Sequence, residues 1–202
     1  MLQRAPTPSA RVNCALRRLP AWPLYPAIAG LLAWRFQQAT SGALGPDPAA
    51  ALERALGQDG LKLLLASLAV SPLRRLSGLN LLKYRRALGL GAFFLILAHF
   101  ATWALLDVQD ISLALREMLR RSHIIAGLAA FALMLPLAAT SFNAAIRRLG
   151  AARWRALHRA AYAIALLAAL HFILARKGWQ LEPLAYAAII TALLAARLPR
   201  RR

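Results

Sequence analysis

The chain has 202 residues, 60% of them hydrophobic, and a formal net charge of +19. A soluble domain carries about 45–50% apolar residues; here the excess is gathered into nearly uncharged blocks of about twenty residues, each long enough to cross a hydrocarbon core of ~30 Å as a helix. Three classes fall away: a membrane barrel, whose strands would alternate over about ten residues; a nucleic-acid binder, since the cations fill the gaps between apolar blocks with no aromatic-interleaved basic domain; and disulfide, thiolate-zinc or iron–sulfur proteins, since Cys14 is the single cysteine.

In chain order, residues 1–20 read as a basic, mobile cytoplasmic tail. Its Arg4, Arg11, Arg17 and Arg18 precede an apolar run, as in a signal peptide, but no small-x-small cleavage site follows, so the first block is expected to stay. The apolar blocks run 22–40, 60–76, 87–106, 122–140, 156–175 and 181–197. The expected fold is all-α, a six-helix transmembrane bundle over 21–198, with a second basic tail at 199–202. Arg35, near the far end of the first block, is expected to snorkel to the interface. No GxGxxG, P-loop or HExxH pattern occurs.

The loops alternate in charge. Loop 1 (41–59) holds Asp47, Glu53 and Asp59 against Arg54, whereas loop 2 (71–86) holds Arg74, Arg75, Lys83, Arg85 and Arg86 with no acid. Loop 3 (107–121) mixes Asp107, Asp110 and Glu117 with Arg116, Arg120 and Arg121. Loop 4 (141–155) carries only Arg147, Arg148, Arg153 and Arg155; loop 5 is short, with Arg176, Lys177 and Glu182; the C-terminus ends in Arg197, Arg200, Arg201 and Arg202. Cytoplasmic loops collect Lys and Arg, so loops 2 and 4 and both termini are expected in the cytoplasm.

Ionisable groups inside membrane helices are costly and mark functional sites. The third block enters from the cytoplasm near Arg86, and His99 lies 13 residues on, ~20 Å along a helix. The fifth enters near Arg155, and His171 lies 16 residues on, ~24 Å. Two imidazoles at matched depth on helices of the same direction can supply both axial ligands of a haem; a helix-bridging hydrogen bond is the plainer alternative for each. His158 lies 13 residues before His171, near the cytoplasmic surface. Its counterpart on the third block is Arg86, a poor haem ligand, so the outer bis-histidine site is complete and the inner one is not. The inner site is basic (Arg85, Arg86, Arg155, His158 and Arg159) and suits an anionic group such as a flavin phosphate or haem propionates; the same arginines also serve topology. His123 begins the fourth block at the outer interface, where a histidine needs no special reason.

These residues resemble the MsrQ (YedZ) family of haem-binding membrane subunits, within the ferric reductase-like transmembrane superfamily. The resemblance is carried by GALGPDPAAALERALG (42–57), LKLLLASLAVSPLRRL (61–76), YRRALGLGAFFLILAHFATWALLD (84–107), LPLAATS (135–141) and LGAARWRALHRAAYAIALLAALHFIL (149–174). One departure is Arg121-Ser122-His123, where the family often reads Arg-Pro-Tyr. The resemblance implies a bacterial inner-membrane subunit that carries haem b on His99 and His171, with His158 the remaining family histidine and flavin mononucleotide (FMN) also attributed. It implies electron flow from the quinone pool or a cytoplasmic flavin donor to a periplasmic molybdopterin reductase, MsrP, that repairs oxidised methionine. Two other readings stay open: a self-contained ferric or quinone reductase, and a non-redox membrane scaffold whose histidines only join helices.

Overall fold

A computed structural model of the chain describes residues 8–176 and 180–197. Arg4, Lys177, Arg200, Arg201, Arg202 and the tail at 199–202 lie outside the described residues. Among the described residues every regular element is helical: α1 (Pro8–Arg18), α2 (Leu24–Thr40), α3 (Pro48–Ser77), α4 (Arg85–Thr102), α5 (Ile111–Arg120), α6 (Ser122–Ala139), α7 (Asn143–His158), α8 (Ala160–Ala175) and α9 (Leu181–Ala195). A 3-10 turn (Leu82–Tyr84) leads into α4, and a π-helical turn (Trp103–Asp107) extends it.

Much of what reads as loop is helix, for local reasons. The side chain of Asp47 accepts from the Ala50 amide and Pro48 follows at the first helical position, so α3 starts well before the apolar block at 60–76. It ends at Gly78, whose φ of 75° makes the left-handed cap that returns its amide to the Arg74 carbonyl. With 30 residues α3 is ~45 Å long, more than the hydrocarbon core requires. In loop 3 Asp110 caps α5 by accepting from the Ser112 and Leu113 amides; the Ser112 hydroxyl and these amides hold its carboxyl below the usual range. In loop 4, α7 breaks at Gly150 (φ 75°) and then runs almost directly into α8.

The stretch expected to be a mobile tail holds α1. Asn13 accounts for the difference: its side chain donates to the Gly78 carbonyl (2.9 Å) and accepts from the Asn80 amide (2.8 Å). Tyr84 Oη donates to the Leu19 carbonyl (3.0 Å) and fixes the end of the stretch.

Among the described residues three stretches are long and apolar enough to cross a membrane, 82–107, 122–139 and 143–175; α9 is apolar but shorter. The bundle consists of two intimate antiparallel pairs, α3 with α4 and α6 with α8, flanked by α2 and α9. Leu61, Leu65 and Leu68 of α3 pack on Ala165 and Ala169 of α8 and Ile190 of α9. Ala92 of α4, Ala130 and Met134 of α6 and Ile164 of α8 form the layer between the pairs. Phe94, Ile125, Leu135, Leu166 and Ile189 point outward and exposed, as expected of helices whose outer surface meets lipid tails rather than water.

Arg35 finds partners within the bundle. Its Nε donates to Oδ2 of Asp59 at 2.8 Å, its Nη1 donates to the Gln38 side chain, and Lys62 lies 3.3 Å from the other Asp59 oxygen. Asp59, assigned to loop 1 from the sequence, is a buried residue of α3, and a carboxylate there requires a cation at hand. The pair fastens α2 to α3. Arg35→Ala is expected to cost roughly 2 kcal/mol, less than a fully buried pair because Lys62 remains, and to lower the thermal midpoint of the detergent-solubilised protein. An unchanged midpoint would show that α2 is held by its apolar contacts alone.

Candidate functional site

α4 and α8 run in one direction and α3 and α6 in the other, so one end of the bundle gathers the starts of α3 and α6 and the ends of α4 and α8. His99 and His171 sit there, within the last turns of α4 and α8. Their ring centroids are 6.1 Å apart and their planes are inclined by 80°. Each ring has one nitrogen occupied: His99 Nδ1 is 2.8 Å from the Glu53 carbonyl oxygen and His171 Nδ1 is 2.7 Å from the His123 carbonyl oxygen. An Nδ1–H donated to a carbonyl fixes the tautomer and leaves Nε2 as a lone-pair donor, the arrangement metal-bound histidines adopt. The Glu53 carboxylate lies 3.9 Å from the same His99 nitrogen.

The two rings line a cavity of about 580 Å³, a size that takes a cofactor. Its lining is largely apolar, with Leu64, Ile96, Phe100, Phe131 and Met134; the polar part holds Arg54, Arg121 and Arg176 beside the acids Glu53 and Asp107. Arg121 pairs with Glu117, and Arg176 with Glu182 at 3.4 Å. The donor set fits a haem. Two imidazoles binding one iron from opposite faces have centroids about 6 Å apart, the sum of two metal–nitrogen bonds of about 2 Å and the inner radii of the rings. An apolar macrocycle suits the apolar lining, and its carboxylates suit the three lining arginines. The π-helical turn after α4 brings Trp103 into the cavity wall, a use to which such turns are often put.

His123 was read as incidental, but its ring lies 6.2 Å from that of His171 and lines the cavity, and its carbonyl holds His171 in place. Backbone acceptors leave no trace in a sequence; only the position of His123 at the start of α6 hinted at it.

The other end of the bundle gathers the remaining expected residues. His158 closes α7; its ring is stacked on Trp154 at 3.9 Å, and Nδ1 lies 3.1 Å from the Trp154 carbonyl. Its Nε2 is buried without a hydrogen-bond partner. Trp154 is itself tied down by donating to the Thr140 carbonyl (3.0 Å). Arg86 donates to Asn143 (2.9 Å), while Arg155 and Arg159 are exposed. Arg85 lies in the field of Arg197, which was read from the sequence only as a tail residue. Arg197 donates to Tyr162 Oη (3.2 Å) and to the Leu68 carbonyl, and its Nε is buried without a partner.

Residues 56–169 match the family described as ferric reductase like transmembrane component. The chain is 45% identical over 158 residues to proteins of Brucella ovis, Brucella canis and Brucella suis, each named protein-methionine-sulfoxide reductase heme-binding subunit MsrQ. The match covers 78% of this chain and 71% of each relative. No solved structure matches the chain significantly.

Proposed function

The chain belongs to the ferric reductase-like transmembrane family and, within it, to the MsrQ subunits, and we propose that it is a haem b electron-transfer subunit of the bacterial inner membrane serving a periplasmic methionine sulfoxide reductase. The family and the apolar helices make it a multi-pass membrane protein. The proposed topology is six spans with both termini and the arginine-rich loops 2 and 4 in the cytoplasm, which puts the cavity that holds His99 and His171 toward the periplasm.

The observation that carries the reading is the pair of imidazoles 6.1 Å apart, each with Nδ1 committed to a carbonyl. His99 and His171 are the proposed iron ligands, and a haem held by them supplies a one-electron carrier. The protein does the rest. The walls exclude water from the rings, Arg54, Arg121 and Arg176 would take the propionates, and the carbonyls of residues 53 and 123 each accept one Nδ1–H and hold the imidazole turned toward the cavity.

Electrons enter at the opposite end, from the quinone pool or a cytoplasmic flavin donor. Arg85, Arg86, His158 and Arg159 are the proposed input site, with FMN phosphate or a quinone as the group received. Arg197 joins them because its Nε is buried without a hydrogen-bond partner, and a guanidinium so left favours an anion. The acceptor is a periplasmic molybdopterin enzyme of the MsrP type, which docks on the mixed-charge loops 1, 3 and 5.

Reconstitution tests the whole. The reduced protein is expected to be reoxidised by the cognate periplasmic reductase only when methionine sulfoxide is supplied. Reoxidation indifferent to that partner, yet fast with ferric iron or quinone, would replace this reading with a self-contained reductase.

A further inference from the structure

The two histidine seats are built alike. A Cβ added to Gly57 would meet His99 Nδ1 at 3.0 Å, and one added to Gly127 would meet His171 Nδ1 at 2.8 Å. Each ring therefore turns its Nδ1 edge to a bare stretch of the neighbouring helix, α3 for His99 and α6 for His171. In both, the carbonyl that takes the Nδ1 proton belongs to the residue four positions before the glycine, Glu53 before Gly57 and His123 before Gly127.

The spacing has a physical cause. A helical side chain leans toward the N-terminus and covers the turn before its own Cα. A residue with a Cβ at 57 would shade the carbonyl of 53, and one at 127 the carbonyl of 123. Glycine leaves the carbonyl open to a second donor besides the amide four residues on. The same device occurs once in the α3–α4 pair and once in the α6–α8 pair, and the two seats set the ring planes 80° apart.

Resting on the proposed ligation by His99 and His171, we infer that Gly57 and Gly127 are paired positioning residues, each a bare helix flank that fixes one imidazole by its Nδ1–H, frees its Nε2 for the iron and holds the two rings near perpendicular. The perpendicular setting has a spectroscopic consequence. Parallel imidazole planes split the two iron d orbitals that point between the ring planes and give ferric low-spin haem a three-line rhombic spectrum. Perpendicular planes leave those orbitals nearly degenerate and give one peak at large g.

The experiment is electron paramagnetic resonance of the full chain, purified with its haem, beside redox titration and haem stoichiometry. The parent protein is expected to show the single large-g signal. Gly57→Ala and Gly127→Ala are expected to replace it with a rhombic low-spin or a high-spin signal and to shift the midpoint potential, Gly127→Ala more strongly because its contact is tighter. Gly91→Ala is the packing control: its Cβ would meet Ile28 Cδ1 at 2.3 Å, on α2 and away from the cavity lining. That variant is expected to lose thermal stability and keep the large-g signal. Haem loss in the two seat variants but not in Gly91→Ala supports the assignment. A parent signal that is already rhombic, unchanged spectra in both seat variants, or the same change in Gly91→Ala would overturn it. Low-spin haem retained after His99→Ala and His171→Ala would instead sink the ligation on which it rests, so the two failures are separable.

Discussion

His171→Ala and His99→Ala are each expected to abolish the low-spin haem spectrum of the purified protein. Each would remove one of the two proposed ligands, whose ring centroids lie 6.1 Å apart. The loss is expected to exceed the roughly 10–100-fold fall in metal affinity that follows removal of a ligand's outer hydrogen-bond partner. What remains should be a high-spin spectrum with one histidine, or no haem. His123→Ala is the informative comparison. Its ring is as near to His171 as His99 is, but its role in the seat is played by its carbonyl. Alanine supplies the same carbonyl, so the low-spin spectrum should persist. Loss of low-spin character in His123→Ala, with retention in His99→Ala, would make His123 the partner of His171 instead.

The departure at Arg121-Ser122-His123 from the family's Arg-Pro-Tyr becomes intelligible in the same terms. The service at position 123 is rendered by the backbone, which constrains the side chain little. This divides what the sequence revealed from what it hid. The histidine pair was legible because two polar groups at matched depth in apolar blocks stand out against a background that cannot tolerate them. Gly57 and Gly127 were not, because a glycine in a membrane helix has many uses and its function here is to have no side chain opposite a particular ring. The apolar blocks put Asp59 in loop 1, one residue before a boundary at 60 that α3 does not respect; the Asp47 cap and Pro48 moved that boundary, and the buried carboxylate then called for Arg35 as its cation. Arg197 sits at the end of the last apolar block, where a basic residue has an adequate topological meaning, and only the folded chain brings it to Tyr162 and the Leu68 carbonyl.

At the inner end, the double variant Arg85→Ala with Arg86→Ala is expected to slow haem reduction by the cytoplasmic donor and leave the spectrum of the outer haem intact. His158 and His171 are 13 residues apart, so the inner cluster stands ~20 Å from the cavity and its loss should not disturb the ligands. A charge-assisted contact to a phosphate contributes about 1.5–3 kcal/mol, so donor binding should weaken by roughly 10–100-fold. The effect should shrink as salt is raised, since exposed charges more than a Debye length apart are screened. Because the proposed topology gives the same arginines a part in orienting the bundle, the alanine variant alone cannot separate a binding site from a topology signal. The lysine pair, Arg85→Lys with Arg86→Lys, can. It keeps both charges and the positive-inside bias but loses the planar fork that grips a phosphate at two points. Reduction should therefore be impaired in the lysine variant as well, in protein whose loop 2 still labels only from the cytoplasmic side. Normal kinetics in the lysine variant with a flavin donor, and slow kinetics only in the alanine variant, would leave the cluster a generic cationic surface. Normal kinetics in both, with flavin and with quinone, would reduce Arg85 and Arg86 to their part in orienting the chain.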